Sequence, residues 1–139
     1  KRPDIILFVN GLPLVVIELK NAVNENATIK TAFNQLQTYK QAISSLFTYN
    51  ELLIVSDGHD ALCGTVTSDW GRFMSWKTKD GRTTADTLQL QMEVMFEGML
   101  NKATLLDLVH HFIVFEKCKN STLKKVAAYH QYYAVIHHM

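Results

Sequence analysis

Apolar residues in the first part of the chain run almost without interruption rather than alternating. DIILFV (4–9) and LVVIELK (14–20) are β-branched-rich runs on either side of Asn10-Gly11. Asn-Gly between two such runs predicts a β-hairpin. Continuous hydrophobicity predicts strands covered on both faces, as in a layered α/β fold. The period then changes. Ile29, Phe33, Leu36, Tyr39 or Lys40, and Ile43 recur at steps of three and four, which predicts a helix over 28–47 with Thr28 as its N-cap. LLIVSDG (52–58) and ALCGTV (61–66) predict two more strands joined by a short Asp-, Gly- and His-containing turn. The polar stretch 67–87, with Gly71 and Gly81, predicts a loop. Helices are predicted over 88–100 and 103–112, a short strand over 113–117 and a last helix over 122–136. This order predicts a mixed β-sheet flanked by helices.

Three charges interrupt the apolar hairpin: Asp4, Glu18 and Lys20. Glu18 and Lys20 are two apart on one strand, so they share a face and Leu19 points away. Whether Asp4 joins them is a question of register. A plain two-residue Asn-Gly turn pairs positions whose numbers add to 21 and sets Asp4 opposite Ile17. A longer loop or one bulge shifts that total to 22 and sets Asp4 opposite Glu18. Pro13, which cannot donate to a ladder, favours the shifted arrangement. Two carboxylates then converge beside an ammonium. They repel unless a cation sits between them, and Mg²⁺ (or Mn²⁺) suits a site of few carboxylates and several waters. Such a metal can polarise a phosphodiester and acidify a bound water, with Lys20 stabilising developing charge or orienting that water. The plainer alternative is a set of solvated charges at the open end of a hairpin.

Composition sets the frame for this chemistry. The chain has 139 residues, 47% hydrophobic and 19% charged, which is an ordinary globular composition. A net charge of +1 leaves no global basic field, so nucleic-acid binding has to come from a local patch. Cys63 and Cys118 have no CxxC spacing and fit a reducing, cytoplasmic setting. No apolar run approaches the length of a membrane span. Lys1 stands just before strand-like sequence, and the chain stops inside the apolar-periodic YHQYYAVIHHM. Both features predict a portion of a longer polypeptide; His137 and His138 are assigned no role.

Pro3-Asp4 followed by Glu18-Leu19-Lys20 resembles the PD-(D/E)XK nuclease motif. Gln35 and Tyr39, at i, i+4 on the next helix, resemble the QxxxY element of RecB-like members and of the R subunits of type I restriction enzymes. More of the chain resembles that R subunit: RPDIILFVNGLPLVVIELKNA (2–22), and ELLIVSDGHDALCGTVTSDWGRFMSWKT (51–78) with its W-x-R-F-x-x-W-K-T tail. LLDLVHHFIVFE (105–116) and KKVAAYHQYYAV (124–135) resemble the stretch that leads from the nuclease into the ATP-driven translocase. The resemblance implies a restriction-endonuclease-like fold. Its nuclease domain would occupy 1–116, and 117–139 would be a linker or the start of the motor. Asp4, Glu18 and the Leu19 backbone carbonyl would ligate the metal, and Lys20 would be the catalytic lysine. Gln35 and Tyr39 would contact the DNA backbone or support the site. Double-stranded DNA is the implied substrate. The implied partners are methylation and specificity subunits and the protein's own motor domain. ATP enters only through the full-length protein, since no GxxxxGK[ST] loop is present here. An acidic residue contributed by an earlier helix in this family would lie before Lys1. The alternative is the same fold, catalytically inactive or incomplete, used for DNA binding or motor coupling.

Trp70, Phe73 and Trp76 lie among Arg72, Lys77, Lys79 and Arg82. This mixture suits a DNA or motor contact through Arg72, Trp76 and Lys77, or a loop whose tryptophans pin it to the core. Of His110 and His111, one is expected to face out and one to be half-buried. His59 is expected in an exposed turn. Met92, Met95 and Met99 are expected in the core, and Gln131 as a structural helix residue. No nucleophile-elbow signature supports a Ser/His/Asp hydrolase.

Overall fold

The computed structural model describes residues 2–21, 23 and 28–138. Residues 1 and 139, the outer bounds of the expected domain division, and Ala22, the end of the hairpin segment, fall outside it.

Strands β1 (Ile5–Val9) and β2 (Leu12–Leu19) form the hairpin. Asn10 (φ 50°) and Gly11 (φ 80°) are both left-handed, the signature of a type I′ turn. Next to the turn, Val9 pairs with Leu12 and Phe8 with Pro13; beyond it, Leu7 pairs with Val15, Ile6 with Val16 and Ile5 with Ile17. The extra residue on β2 is Leu14. The turn is thus the short one, and a bulge supplies the shifted register expected from the sequence.

Helix α1 (Ile29–Ala42) carries the chain from β2 to β3 (Leu52–Ser56), which pairs with β2 in parallel. The Thr28 hydroxyl accepts from Thr31 N at 3.3 Å, as expected of the N-cap. The helix stops short of 47: Ile43 leaves helical geometry at φ −132°, and Ser44–Phe47 tighten into a 3-10 turn. Ser44-Ser45 explains this, since short hydroxyl side chains compete for backbone hydrogen bonds. Strand β4 (Ala61–Gly64) is antiparallel to β3 and completes a mixed sheet in the order β1-β2-β3-β4. Met74 exchanges backbone hydrogen bonds with Cys63 on the outer side of β4.

The sheet separates two cores. On one side Val16, Leu53 and Val55 meet Ala32, Phe33, Leu36 and Tyr39 of α1, with Phe47 and Phe73. On the other, Val15, Ile17, Leu52 and Ile54 meet residues from α2 (Gln91–Gly98) and α3 (Lys102–His111), including Met95, Leu105 and Leu108. Met95 and Met99 are buried and Met92 packs against the same cluster. This is an α/β fold consistent with a restriction-endonuclease-like domain.

The strand expected over 113–117 is present, and the largest departure from expectation lies in the first part of the helix expected over 122–136. Strand β5 (Ile113–Cys118) pairs with β6 (Ser121–Val126) as a two-stranded ribbon, and only Tyr129–Ile136 forms the last helix, α4. The helix-like spacing of TLKKVAA yields to pairing with β5. Lys124 fastens the ribbon to the sheet: its Nζ meets Glu51 Oε2 at 2.8 Å and Asn50 O at 2.7 Å. Helix α4 lays Tyr132 into the second core, and Gln131 Oε1 accepts from Ala128 N at 2.9 Å, a structural role. His110 and His111 are both exposed and stack on each other at the end of α3, so neither is half-buried. No helix among the described residues is long and apolar enough to cross a membrane.

Candidate functional site

The site lies at the C-terminal end of β2 on the α1 side of the sheet. Val16 belongs to the α1 core, and period two carries Glu18 and Lys20 to the same face. One further step in the hairpin register beyond Ile5–Ile17 sets Asp4 level with Glu18. Asp4 precedes the first paired residue of β1 and is held by its own side chain: Leu19 N donates to Asp4 Oδ2 at 2.8 Å. On the other side of β2, Lys20 N donates to Ser56 O at 2.8 Å. Residues along a strand turn alternate edges, so Leu19 turns its N–H, and its carbonyl with it, toward Asp4.

Glu18 is 4% exposed. Its Oε1 meets Lys20 Nζ at 3.4 Å, while Oε2 is buried without a hydrogen-bond partner. Burial pushes the Glu18 carboxyl above its ordinary value and Asp4 adds to this, against the pull of the Lys20 ammonium. Tyr39 completes the inner wall. Its ring is buried and its hydroxyl donates to Arg2 O at 2.9 Å. Burial raises the Tyr39 hydroxyl, as do the nearby Glu18 and Asp4 carboxylates, with the Gln35 side chain opposing them. Asp4, Glu18, Lys20 and Tyr39 thus converge from three segments, and Gln35 lies one turn before Tyr39 on α1.

Arg72 and Lys77 are exposed, whereas Trp76 is 3% exposed and packs against Tyr129, Tyr132 and Tyr133. Trp76 therefore pins the loop to the core, and that describes it better than a surface contact with DNA. The Arg2 carbonyl could not be foreseen as a partner of Tyr39, because a backbone atom carries no residue identity.

Two carboxylates, a buried unpartnered carboxylate oxygen and a neighbouring carbonyl make a donor set that fits a hard divalent cation. Among the described residues no group of three or more His, Cys, Asp or Glu could enclose a metal. A cation here would therefore keep waters or take oxygens from a ligand, as Mg²⁺ does.

Fold and site together are those of an α/β domain consistent with the restriction-endonuclease type, with Glu18 and Lys20 at the end of β2 and Asp4 before β1 beside them. The profile described as "Type I restriction enzyme R protein N terminus" matches residues 1–72, and the chain belongs to that family. It is 46% identical over 136 residues to the type I restriction enzyme HindI endonuclease subunit of Haemophilus influenzae, covering 96% of this chain and 13% of that protein. It is 29% identical over 151 residues to a protein of Methanocaldococcus jannaschii provisionally named type I restriction enzyme MjaIXP endonuclease subunit, covering 97% of this chain and 14% of that one. The chain thus spans about an eighth of the length of these relatives.

Proposed function

We propose that this chain is the Mg²⁺-dependent (or Mn²⁺-dependent) endonuclease domain of a type I restriction R subunit, hydrolysing phosphodiesters of double-stranded DNA. The observation that carries this reading is the placement of Asp4 and Glu18 level on one face, with Glu18 Oε2 buried and unpartnered. Asp4, Glu18 and the Leu19 carbonyl would hold the metal. The metal, when bound, supplies charge neutralisation at the phosphodiester and a more acidic water. The Lys20 ammonium, beside Glu18, orients the attacking water or stabilises charge on the phosphate oxygens. Water adds to phosphorus, the P–O ester bond breaks, and the departing oxygen takes up a proton.

With a net charge of +1 and a short share of the relatives' length, the domain works inside a larger assembly. We place residues 1–116 in the nuclease and 117–139 in the passage toward a motor that uses ATP to translocate DNA. The methylation and specificity subunits are its partners, and the cytoplasm is its setting. Cleavage then follows translocation.

The test is substitution in the full-length subunit. Asp4→Ala, Glu18→Ala or Lys20→Ala is expected to abolish DNA cleavage while ATP hydrolysis continues. Normal cutting by any of them would sink the assignment. One observation favours a second reading, an incomplete nuclease fold serving DNA binding or motor coupling: the described residues offer two carboxylates at the site rather than a closed set. That reading requires that no Mn²⁺ binds at Asp4 and Glu18.

A further inference from the structure

We infer that Tyr39 is a positioning residue: it fixes Asp4 by clamping the carbonyl of Arg2, two residues upstream, and does not itself touch DNA. The inference rests on the nuclease reading above and assigns Tyr39 one of the two roles left open by the sequence.

Asp4 lies outside the paired part of β1, which starts at Ile5, so the sheet ladder does not hold it. Two hydrogen bonds do. Leu19 N holds its carboxylate at 2.8 Å, and Tyr39 Oη holds the backbone just before it, donating to Arg2 O at 2.9 Å. The residue between is Pro3, which is buried. Its ring fixes its own φ, and its Cδ restricts the conformation of Arg2. Arg2–Pro3–Asp4 is therefore a short stiff lever. Holding the Arg2 carbonyl at one end sets the Asp4 carboxylate at the other.

Tyr39 presents little surface to DNA: it is 4% exposed and its hydroxyl donates to Arg2 O at 2.9 Å. The anchor is itself firm, because Tyr39 sits in the core between α1 and the sheet with Leu36, Val16 and Val55. Outer groups that orient a metal ligand change metal affinity by roughly 10- to 100-fold when removed.

The experiment measures Mn²⁺ binding to the full-length subunit without nucleotide, with Glu18→Ala as the baseline. Tyr39→Phe keeps the buried ring and deletes only the hydroxyl. It is expected to weaken Mn²⁺ binding by roughly tenfold with thermal stability nearly unchanged. Pro3→Ala, which loosens the lever, is expected to do the same. The double variant is expected to lose little more than either single one, since both act through one linkage. Equal Mn²⁺ affinity in Tyr39→Phe and the parent would overturn the clamp, and so would fully additive losses with Pro3→Ala. A parent that binds no more Mn²⁺ than Glu18→Ala would overturn the nuclease reading itself, which is a separate result.

Discussion

Glu18 is the residue at which stability and function oppose each other. Its carboxylate is taken out of water, lies level with Asp4, and is only partly offset by Lys20 at 3.4 Å; its Oε2 has no partner. A group that served the fold alone would not be kept in this state. Glu18→Gln keeps the shape and removes the charge. We expect it to stabilise the chain by about 1 kcal/mol in EDTA at neutral pH, while ending cleavage in the full-length subunit. Urea denaturation with and without divalent cation checks this. A Gln variant less stable than the parent in EDTA would mean that Glu18 is a net stabilising partner of Lys20. At this scale the sequence was informative: a carboxylate and an ammonium two apart on an apolar strand could be seen directly. The Tyr39–Arg2 bond could not, and neither could the burial of Trp76, because an aromatic among basic residues looks the same whether it faces the core or solvent.

At the scale of elements, the hairpin determines whether there is a site at all. Its register was legible because Asn10-Gly11 specifies one turn and the two charged positions demand another pairing. Only a bulge satisfies both, and Leu14 provides it. Leu14 also faces inward, and its carbonyl accepts from Glu51 N at 2.8 Å, so the extra residue ties the hairpin to the start of β3. The turn is testable on its own. A Cβ at Gly11 would meet nothing within 4 Å, so the cost of Gly11→Ala is the left-handed backbone alone. We expect a loss of about 1 kcal/mol in denaturant unfolding. Gly71→Ala is the control: its φ is not in the left-handed range and the nearest atom is Asp69 Oδ1 at 3.6 Å, so it is expected to be neutral or slightly stabilising. Equal losses at the two positions would remove the argument for a strained turn. Strand β5 was legible as IVFEK, but its partner β6 was not, because none of its residues is fully buried. Without a buried face there is no alternation for a strand to display, and good helix formers at 123–128 then suggest a helix.

At the scale of the whole molecule, the sheet divides titratable groups between two cores, and their sum predicts how stability responds to alkali. Burial pushes the Cys63 thiol from 9.0 up to about 12. Burial, reinforced by the Asp107 carboxylate that accepts from its hydroxyl at 2.9 Å, raises Tyr132 from 10.0 to about 12. Both lie in the α2–α3 core; Tyr39, in the α1 core, and Tyr133 are raised as well. In each case the folded chain keeps a proton that the unfolded chain releases. Their contribution is therefore complete below about pH 9 and is lost as pH rises toward 12. For Cys63 alone, a rise from 9.0 to about 12 corresponds to on the order of 4 kcal/mol. Lys40 works the other way: burial lowers it, so the folded chain gives up that proton first and stability gains slightly over the same range. One lysine does not offset four acids, and the net slope is downward. Urea midpoints measured under reducing conditions are expected to be flat from pH 7 to about 8.5 and to fall steadily above it. Cys63→Ala, less stable at neutral pH for want of packing, is expected to fall less steeply. A parent midpoint unchanged to pH 11, or the same slope in both proteins, would show that the β4 thiol is not shielded as its burial requires.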